Sequence, residues 1–250
     1  AGWLAMTAHA QPDSPQAMPT VREFGAAGDG IADDTDAFRR AIDARTGVVL
    51  VPRGTYCITR TLDIEIDRVG PTTVVGIGMP TLRMTGPGPA LRFIGTHTGT
   101  ADPDSFEDNV WQNQRMPVVE GIEIVGAHPE ADGIEAVQTM QAVFTRVAIR
   151  DARHGIHLAV RNRNVLVSEC QIYHNRGVGV FLDQVDLHQT NICASHISYN
   201  GGGGIVVLGG NVRNLQVGTC DIESNMAKDG PPTANILIDT TGGSMAEAAI

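Results

Sequence analysis

Five polar side chains recur at related places along a repeat and carry the chemistry open to this chain: Asp132, Glu135, His154, His157 and Asp183. A carboxylate beside an imidazole raises the proton affinity of the ring and orients it. Such a pair suits general acid–base work on a sugar. In a β-elimination, a base removes the C5 proton of a uronic acid while a cation steadies the carboxylate. Arg153, Arg161 and Arg163 are close enough in the chain to supply that cation. In a hydrolysis, two carboxylates flank the scissile bond. Glu135, His157 and Asp183 are therefore the expected catalytic residues, with His154 carrying or orienting a proton. Asp132, Arg153, Arg161 and Trp111 are the expected substrate contacts. The plainer alternative is a set of solvated residues on an exposed sheet face.

These side chains meet only if the chain brings distant segments together, and the repeat says how. Residues 132–238 contain one unit written about four times. Gly133, Gly155, Gly179 and Gly204 open the copies at spacings of 22, 24 and 25 residues. A fixed period of this size with strand-like units marks a solenoid. Each unit holds two short runs of alternating Val, Ile and Leu, the pattern of strands rather than helices. Ile156, Val180, Ile205 and Ile236 share one phase, as do Leu158, Leu182, Val207 and Ile238. The residues between them, Glu135 and His157 among them, must then point outward. Asn175, Asn200 and Asn225 also align. A stacked Asn at an inward bend can satisfy the backbone groups that a bend leaves unpaired. The repeat predicts an all-β fold, a parallel β-helix whose coils stack in register. Glu135 and Asp183 then lie two coils apart, roughly 10 Å from the strand spacing, at the wide end of an inverting carboxylate pair.

Composition narrows the partners. Aromatic residues make up 4% of the chain and glycine contributes 29 positions, so the core must be aliphatic stacks joined by tight turns. The net charge of −10 offers no basic face for nucleic acid. It leaves room for an anionic sugar, because a local arginine cluster can outweigh the global sign. No apolar run approaches the ~18 residues of a membrane span. The opening AGWLAMTAHA ends in Ala8-His9-Ala10, a small-x-small pattern that reads as the tail of a secretory signal peptide. Residues 1–20 are thus read as signal remnant and linker, residues 21–250 as the β-helix domain, and the protein as secreted or periplasmic. Same-phase cysteines two coils apart cannot bridge, so Cys57, Cys170, Cys193 and Cys220 are expected as free thiols, the buried ones acting as small hydrophobes.

Along the chain, Val21 to Phe24 reads as a strand and Gly25 to Gly30 as a turn. Asp33 or Asp34 then caps a helix whose Ala37, Phe38, Ala41 and Ile42 recur at helical spacing. That helix would cover the open first coil. The run FGAAGDGIADDTDAFRRAI followed by GVVLVPRGTY resembles the N-terminal signature of the pectate-lyase-like superfamily. The resemblance implies a right-handed β-helix, whereas the repeat alone leaves the hand open. The superfamily includes polysaccharide lyases, glycoside hydrolases, alginate epimerases and phage tailspikes. Their catalytic residues do not transfer here. The paired-Asp and GHG pattern of polygalacturonases is absent, with Arg153-His154-Gly155 only echoing it, and the DPHE of the epimerases is replaced at His157-Leu158-Ala159.

Residues 95–117 interrupt the pattern with acidic groups and Trp111, as a substrate wall or as an ordered loop packing its indole inward. Asp29, Asp33, Asp34 and Asp36 lack the oxygen-rich spacing of a calcium loop and are assigned turn and cap roles. No cofactor is therefore expected; Ca²⁺ is left open but is not indicated by the sequence. His128, His174, His188 and His196 have no partner at metal spacing in the sequence. The closing TTGGSMAEAAI offers no complete coil, which suggests a longer parent chain. The resulting expectation is a secreted enzyme cleaving an acidic polysaccharide by β-elimination or hydrolysis. A non-catalytic glycan-binding or tailspike-like solenoid is the alternative. The oligomeric state is left open.

Overall fold

The computed structural model describes residues 18–100 and 102–250. The chain winds as a parallel β-helix with three strand positions per coil, called here front, side and back. Back strands form one eight-stranded parallel sheet running from Asp29–Asp33 to Asp221–Glu223. Front and side strands share a second sheet, because three long strands bend through both positions: Ala131–Met140, Ile156–Ser168 and Val178–Cys193. The glycine-phased register is present in full: Ile134 pairs with Ile156, Val180 with Ile205, and Ile205 with Ile236. Ile134, Ile156, Val180 and Ile205, with Leu158, Leu182 and Val207, are buried in one aliphatic core, and the half-buried Ile236 packs against its end.

The bends explain which residue types the repeat tolerates. Gln141, Asn164, Gln189 and Asn214 stack as one corner, each with φ between 54° and 62°. Arg146, Glu169, Ala194 and Thr219 form a second left-handed corner. This conformation costs energy for most side chains, and short polar residues tolerate it best. At the inward bend the asparagine ladder satisfies the backbone. Asn200 Oδ1 accepts from the Asn175 backbone N–H at 3.2 Å and from Asn175 Nδ2 at 2.8 Å. Its Nδ2 donates to Ile172 O at 3.0 Å and to Asn225 Oδ1 at 2.8 Å. Asn235, which lies outside the aligned trio, ends the ladder by accepting from Asn225 Nδ2 at 3.0 Å.

The N-terminal helix, Thr35–Asp43, buries Ala37, Phe38, Ala41 and Ile42 against the first coil. Its neighbourhood departs from expectation in two ways. Val21–Phe24 is a turn, preceded by a bridge from Thr20 to Leu50. The predicted turn contains the start of the strand Asp29–Asp33. Asp34 holds that segment by accepting from the N–H groups of Ala27 and Gly28, while Asp33 accepts from the Thr35 N–H at the helix start. At the C-terminal end Ile236–Asp239 and Ser244–Ala246 continue the front and side strands, and among the described residues no back strand follows Asp221–Glu223, so the last turn is an incomplete coil. Residues 1–17, which carry the signal-peptide reading, lie outside the described residues. Among the described residues no helix is long and apolar enough to cross a membrane. All four cysteines are free, and burial pushes the Cys170 thiol up to about 11.

The ladder is the most exposed point of this design to mutation. Asn200→Ala removes four hydrogen bonds at a fully buried site and leaves their partners unpaired. It should lower stability by roughly 2–4 kcal/mol in a denaturant titration.

Candidate functional site

The front strands present one outward column in register: Asp63, Arg92, Glu135 and His157, then Phe181, Val206 and Leu237. The first four alternate in charge. Arg92 Nε lies 2.7 Å from Asp63 Oδ1, and its Nη1 lies 3.6 Å from Glu135 Oε2. Glu135 Oε1 is 3.3 Å from His157 Nδ1. His157 Nε2 is 3.4 Å from Asp183 Oδ2, which reaches back diagonally from the next coil. Neither contact of the ring is aligned as a hydrogen bond, and Nε2 is closed to solvent. The imidazole is thus clamped between two carboxylates as an ionic sandwich. Glu135, His157 and Asp183 meet, as the register required.

His154 sits beside this column, its ring centroid 6.2 Å from that of His157 and 5.1 Å from that of Phe181. His157 itself stacks on Phe181 at 5.3 Å and 15°. The Val178 backbone N–H donates to His154 Nδ1 at 3.1 Å, so Nδ1 carries the lone pair and the neutral ring bears its proton on Nε2. Room for the ring comes from Gly177, where a Cβ would lie 2.8 Å from His154.

The two imidazoles are pushed in opposite directions. Burial alone would lower the proton affinity of His157, but the contact and charge of Glu135, with the charges of Asp183 and Asp132, outweigh it and raise the pKa. Burial lowers the pKa of His154, and Arg153 and His157 reinforce that against Asp132 and Asp183. The contact with His157 holds Glu135 below the usual carboxylate range in spite of its burial, with the charges of His157 and Arg92 in support. Asp183 is the most open member of the sandwich at 39% side-chain exposure, against 17% for His157 and 18% for Glu135.

The expected substrate contacts are distributed differently. Asp132 is buried; it accepts from Arg153 Nε at 2.9 Å and Nη2 at 2.6 Å, and from the His154 backbone N–H at 3.0 Å. It is an anchor that positions His154, and it also occupies Arg153. Arg161 is held by Gly99 O at 2.8 Å and Asp186 Oδ2 at 2.7 Å on a side strand, one corner away from the front column. Trp111 stacks on Phe106 at 5.9 Å under the Arg115 guanidinium, and Phe106 in turn covers Arg163 and His97. The loop therefore walls the side strands. Burial, with Arg161 and Arg163 nearby, pushes the His97 imidazole down to about 4.

Sequence reasoning missed Arg92 and Asp63. The signal was available: Leu91-Arg92-Phe93 and Leu62-Asp63-Ile64 have the same in–out–in order as Ile156-His157-Leu158. It was hidden because neither strand follows the glycine phase of the later coils. The structure also gives His196 partners that spacing did not suggest. His196, Asp221 and Glu223 bring their ligand atoms within 4.8 Å of one another on the back sheet.

Comparison with known proteins agrees with this architecture. Residues 110–245 match a family model described as right handed beta helix region, and residues 19–116 one described as rhamnogalacturonase A/epimerase, pectate lyase-like. The first match covers more than half of the chain, and the chain belongs to the right-handed β-helix proteins of the pectate-lyase-like superfamily. No curated protein matches it.

Among solved structures, the pre-mature bacteriophage phi29 gene product 12 is similar over 92% of this chain and 33% of its own, at 16% identity and TM-score 0.57. The Agl-KA catalytic domain is similar over 98% and 52%, at 15% identity and TM-score 0.57. The catalytic unit of a thermostable GH87 alpha-1,3-glucanase from Streptomyces thermodiastaticus strain HF3-3 is similar over 96% and 51%, at 17% identity and TM-score 0.50. At these identities the likeness is one of fold, and the chain spans a third to about half of each structure.

Opposite shifts give opposite linkage to stability. His157 binds its proton more tightly folded than unfolded, so its contribution is complete below the ordinary value of ~6.5 and is lost as pH rises through its higher folded value. His154 binds its proton less tightly folded, so its contribution is complete above ~6.5 and is lost as pH falls toward its lower folded value. Melting temperature measured against pH should flatten on the alkaline side of ~6.5 in His157→Gln and flatten just below ~6.5 in His154→Gln, leaving the more acid slope of the depressed carboxylates such as Glu135 in place.

Proposed function

We propose that the front face acts on an acidic polysaccharide, with Asp183 as its acid–base residue and the His157 imidazolium as its charge partner. The observation that carries this reading is the sandwich itself: a clamped imidazole of raised proton affinity against an accessible carboxylate, beside a second imidazole kept neutral. Environments that drive two titratable groups apart are the usual means of dividing acid from base work in one site. Phe181 adds an apolar ring next to these groups, a surface suited to a sugar face.

Geometry favours elimination over hydrolysis. An inverting hydrolase needs room for a water and a sugar between its two carboxylates. Here the His157 ring fills the gap between Glu135 and Asp183. In the elimination, Asp183 takes the C5 proton of a uronate and the C4–O bond breaks. An unsaturated chain end forms, and Asp183 returns the proton to the leaving oxygen on the same face. The His157 imidazolium balances the charge on Asp183, and the His154 Nε2–H donates to the substrate carboxylate as negative charge builds there. An extracellular or periplasmic location, supported by the small-x-small motif at residues 8–10, belongs to the same reading.

Binding without turnover is the second reading. It is favoured by the closure of His157 Nε2 to solvent and by the exposed Trp111 on the loop.

Incubation with a panel of uronic-acid polymers distinguishes the two. Elimination yields products that absorb in the ultraviolet, hydrolysis yields reducing ends without that absorbance, and a pure binder retains the polymer intact. Asp183→Asn and His157→Gln should each lower turnover by about 10²- to 10⁴-fold in folded protein. Because the couple works with His157 protonated, kcat/KM should fall as pH rises through the raised His157 pKa.

A further inference from the structure

The side strands carry two outward columns, and they differ in how their charge is settled. Arg161, Asp186 and Asn211 form one, in register over three coils. Its charges close on themselves: Arg161 Nη2 lies 2.7 Å from Asp186 Oδ2, and Asn211 Nδ2 donates to Asp186 Oδ1 at 2.8 Å. Arg163, His188 and Arg213 form the other, also in register. Here basic groups follow one another at strand spacing, about 4.8 Å, with no carboxylate between them. Like charges placed directly opposite destabilise a sheet.

The second column holds no compensating partner of its own among the described residues. Arg163 is only 8% exposed; its Nη1 donates to Thr100 O at 2.9 Å and its guanidinium lies 4.5 Å from the Phe106 centroid, without an ion pair. Arg213 is exposed and, among the described residues, makes no ion pair or side-chain hydrogen bond. His188 Nδ1 is buried and unpaired. Burial lowers the proton affinity of His188 first, and the charges of Arg163 and Arg213 lower it further. The acidic groups facing the column are Asp102 toward Arg163 and Glu247 toward His188. Neither pairs with it, and Asp186 is committed to the first column. A groove of about 250 Å³ opens above, bounded by His188 and Arg213 on the strands and by His97 and Thr100 on the loop. In a chain of net charge −10, this spot is locally positive.

We infer that this groove is an anion subsite, taking the oxyanion of an acidic saccharide through Arg213 and His188, with buried Arg163 supplying the field behind them. An anion there would offset the repulsion along the column, and the Arg213 fork suits a planar carboxylate or the oxygens of a sulfate ester. Asp183 of the front face and Asp186 of the groove flank one bend at Gln184 on the same strand. A glycan lying on the front face can therefore turn this corner and place an acidic residue in the groove. The identity of the ligand as a saccharide rests on the proposed function; the anion site rests on the column itself.

Calorimetric titration of the full chain tests the subsite with three probes: uronate oligosaccharides, the same oligosaccharides with their carboxyls reduced to alcohols, and sulfated neutral oligosaccharides. Arg213→Gln should weaken uronate binding about 10- to 100-fold, the range for losing a hydrogen bond to a charged group, and leave the reduced oligosaccharides unaffected. The His188 ring resonances should shift on uronate binding, and its pKa should rise. Stronger binding of the sulfated probe, with the same dependence on Arg213, assigns the site to sulfate instead of carboxylate. Unchanged uronate affinity in both Arg213→Gln and His188→Gln overturns the subsite even where turnover is normal. Arg213-dependent binding without turnover of any polymer supports the subsite and overturns the proposed elimination.

Discussion

No coil of this protein is stable by itself. A single coil buries one residue from each column and leaves its backbone N–H and C=O groups on both edges unpaired. Both needs are met by the coils above and below, provided they stack in register. The asparagine ladder shows how strictly. Each amide of Asn175, Asn200 and Asn225 bonds the next amide and the backbone of the preceding coil, so a slip by one residue would break every rung. The same slip would turn Ile156, Val180 and Ile205 out of the core.

Register converts sequence distance into contact. Residues 22 to 25 apart in the regular coils, and 43 apart where the loop intervenes between Arg92 and Glu135, become neighbours at strand spacing, and each outward position becomes a column. What a column does depends on the order of its residues. On the front face Asp63, Arg92, Glu135 and His157 alternate, so each charge is met by its neighbours and the imidazole gains proton affinity. On the side face Arg163, His188 and Arg213 do not alternate, and the imidazole loses it. The same geometry thus shifts two histidines in opposite directions. Beside the front column a third imidazole, His154, is kept neutral by burial, with a backbone N–H on its Nδ1 fixing the tautomer and a glycine leaving it space.

Much of this was legible before any coordinates. The spacing of Gly133, Gly155, Gly179 and Gly204 sets the register, and the register alone puts Glu135 beside His157 and Asp183 one coil on. The Asn column was visible for the same reason. Arg92 and Asp63 were not, because their coils carry the loop and the short helix Ile66–Val69 between strands, which disturbs the period. The substrate roles given to Asp132 and Arg153 rested on repeat phase for the first and on nearness in the chain for the second. Burial and a bidentate pair between them make the two an internal brace for His154. Likewise, two carboxylates two coils apart suggested an inverting pair until the His157 ring was found between them.

Repetition in the sequence determined the solenoid, its register and the membership of each column, because period and alternation are one-dimensional properties that a stack of coils maps directly into space. The resemblance of the N-terminal segment added the hand. Tertiary structure alone decided which polar groups stay open and which are consumed by one another. That outcome depends on where side chains reach across a corner, how the loop 95–117 lies over the side strands, and how deeply each charge is withdrawn from water. None of these has a period to be read.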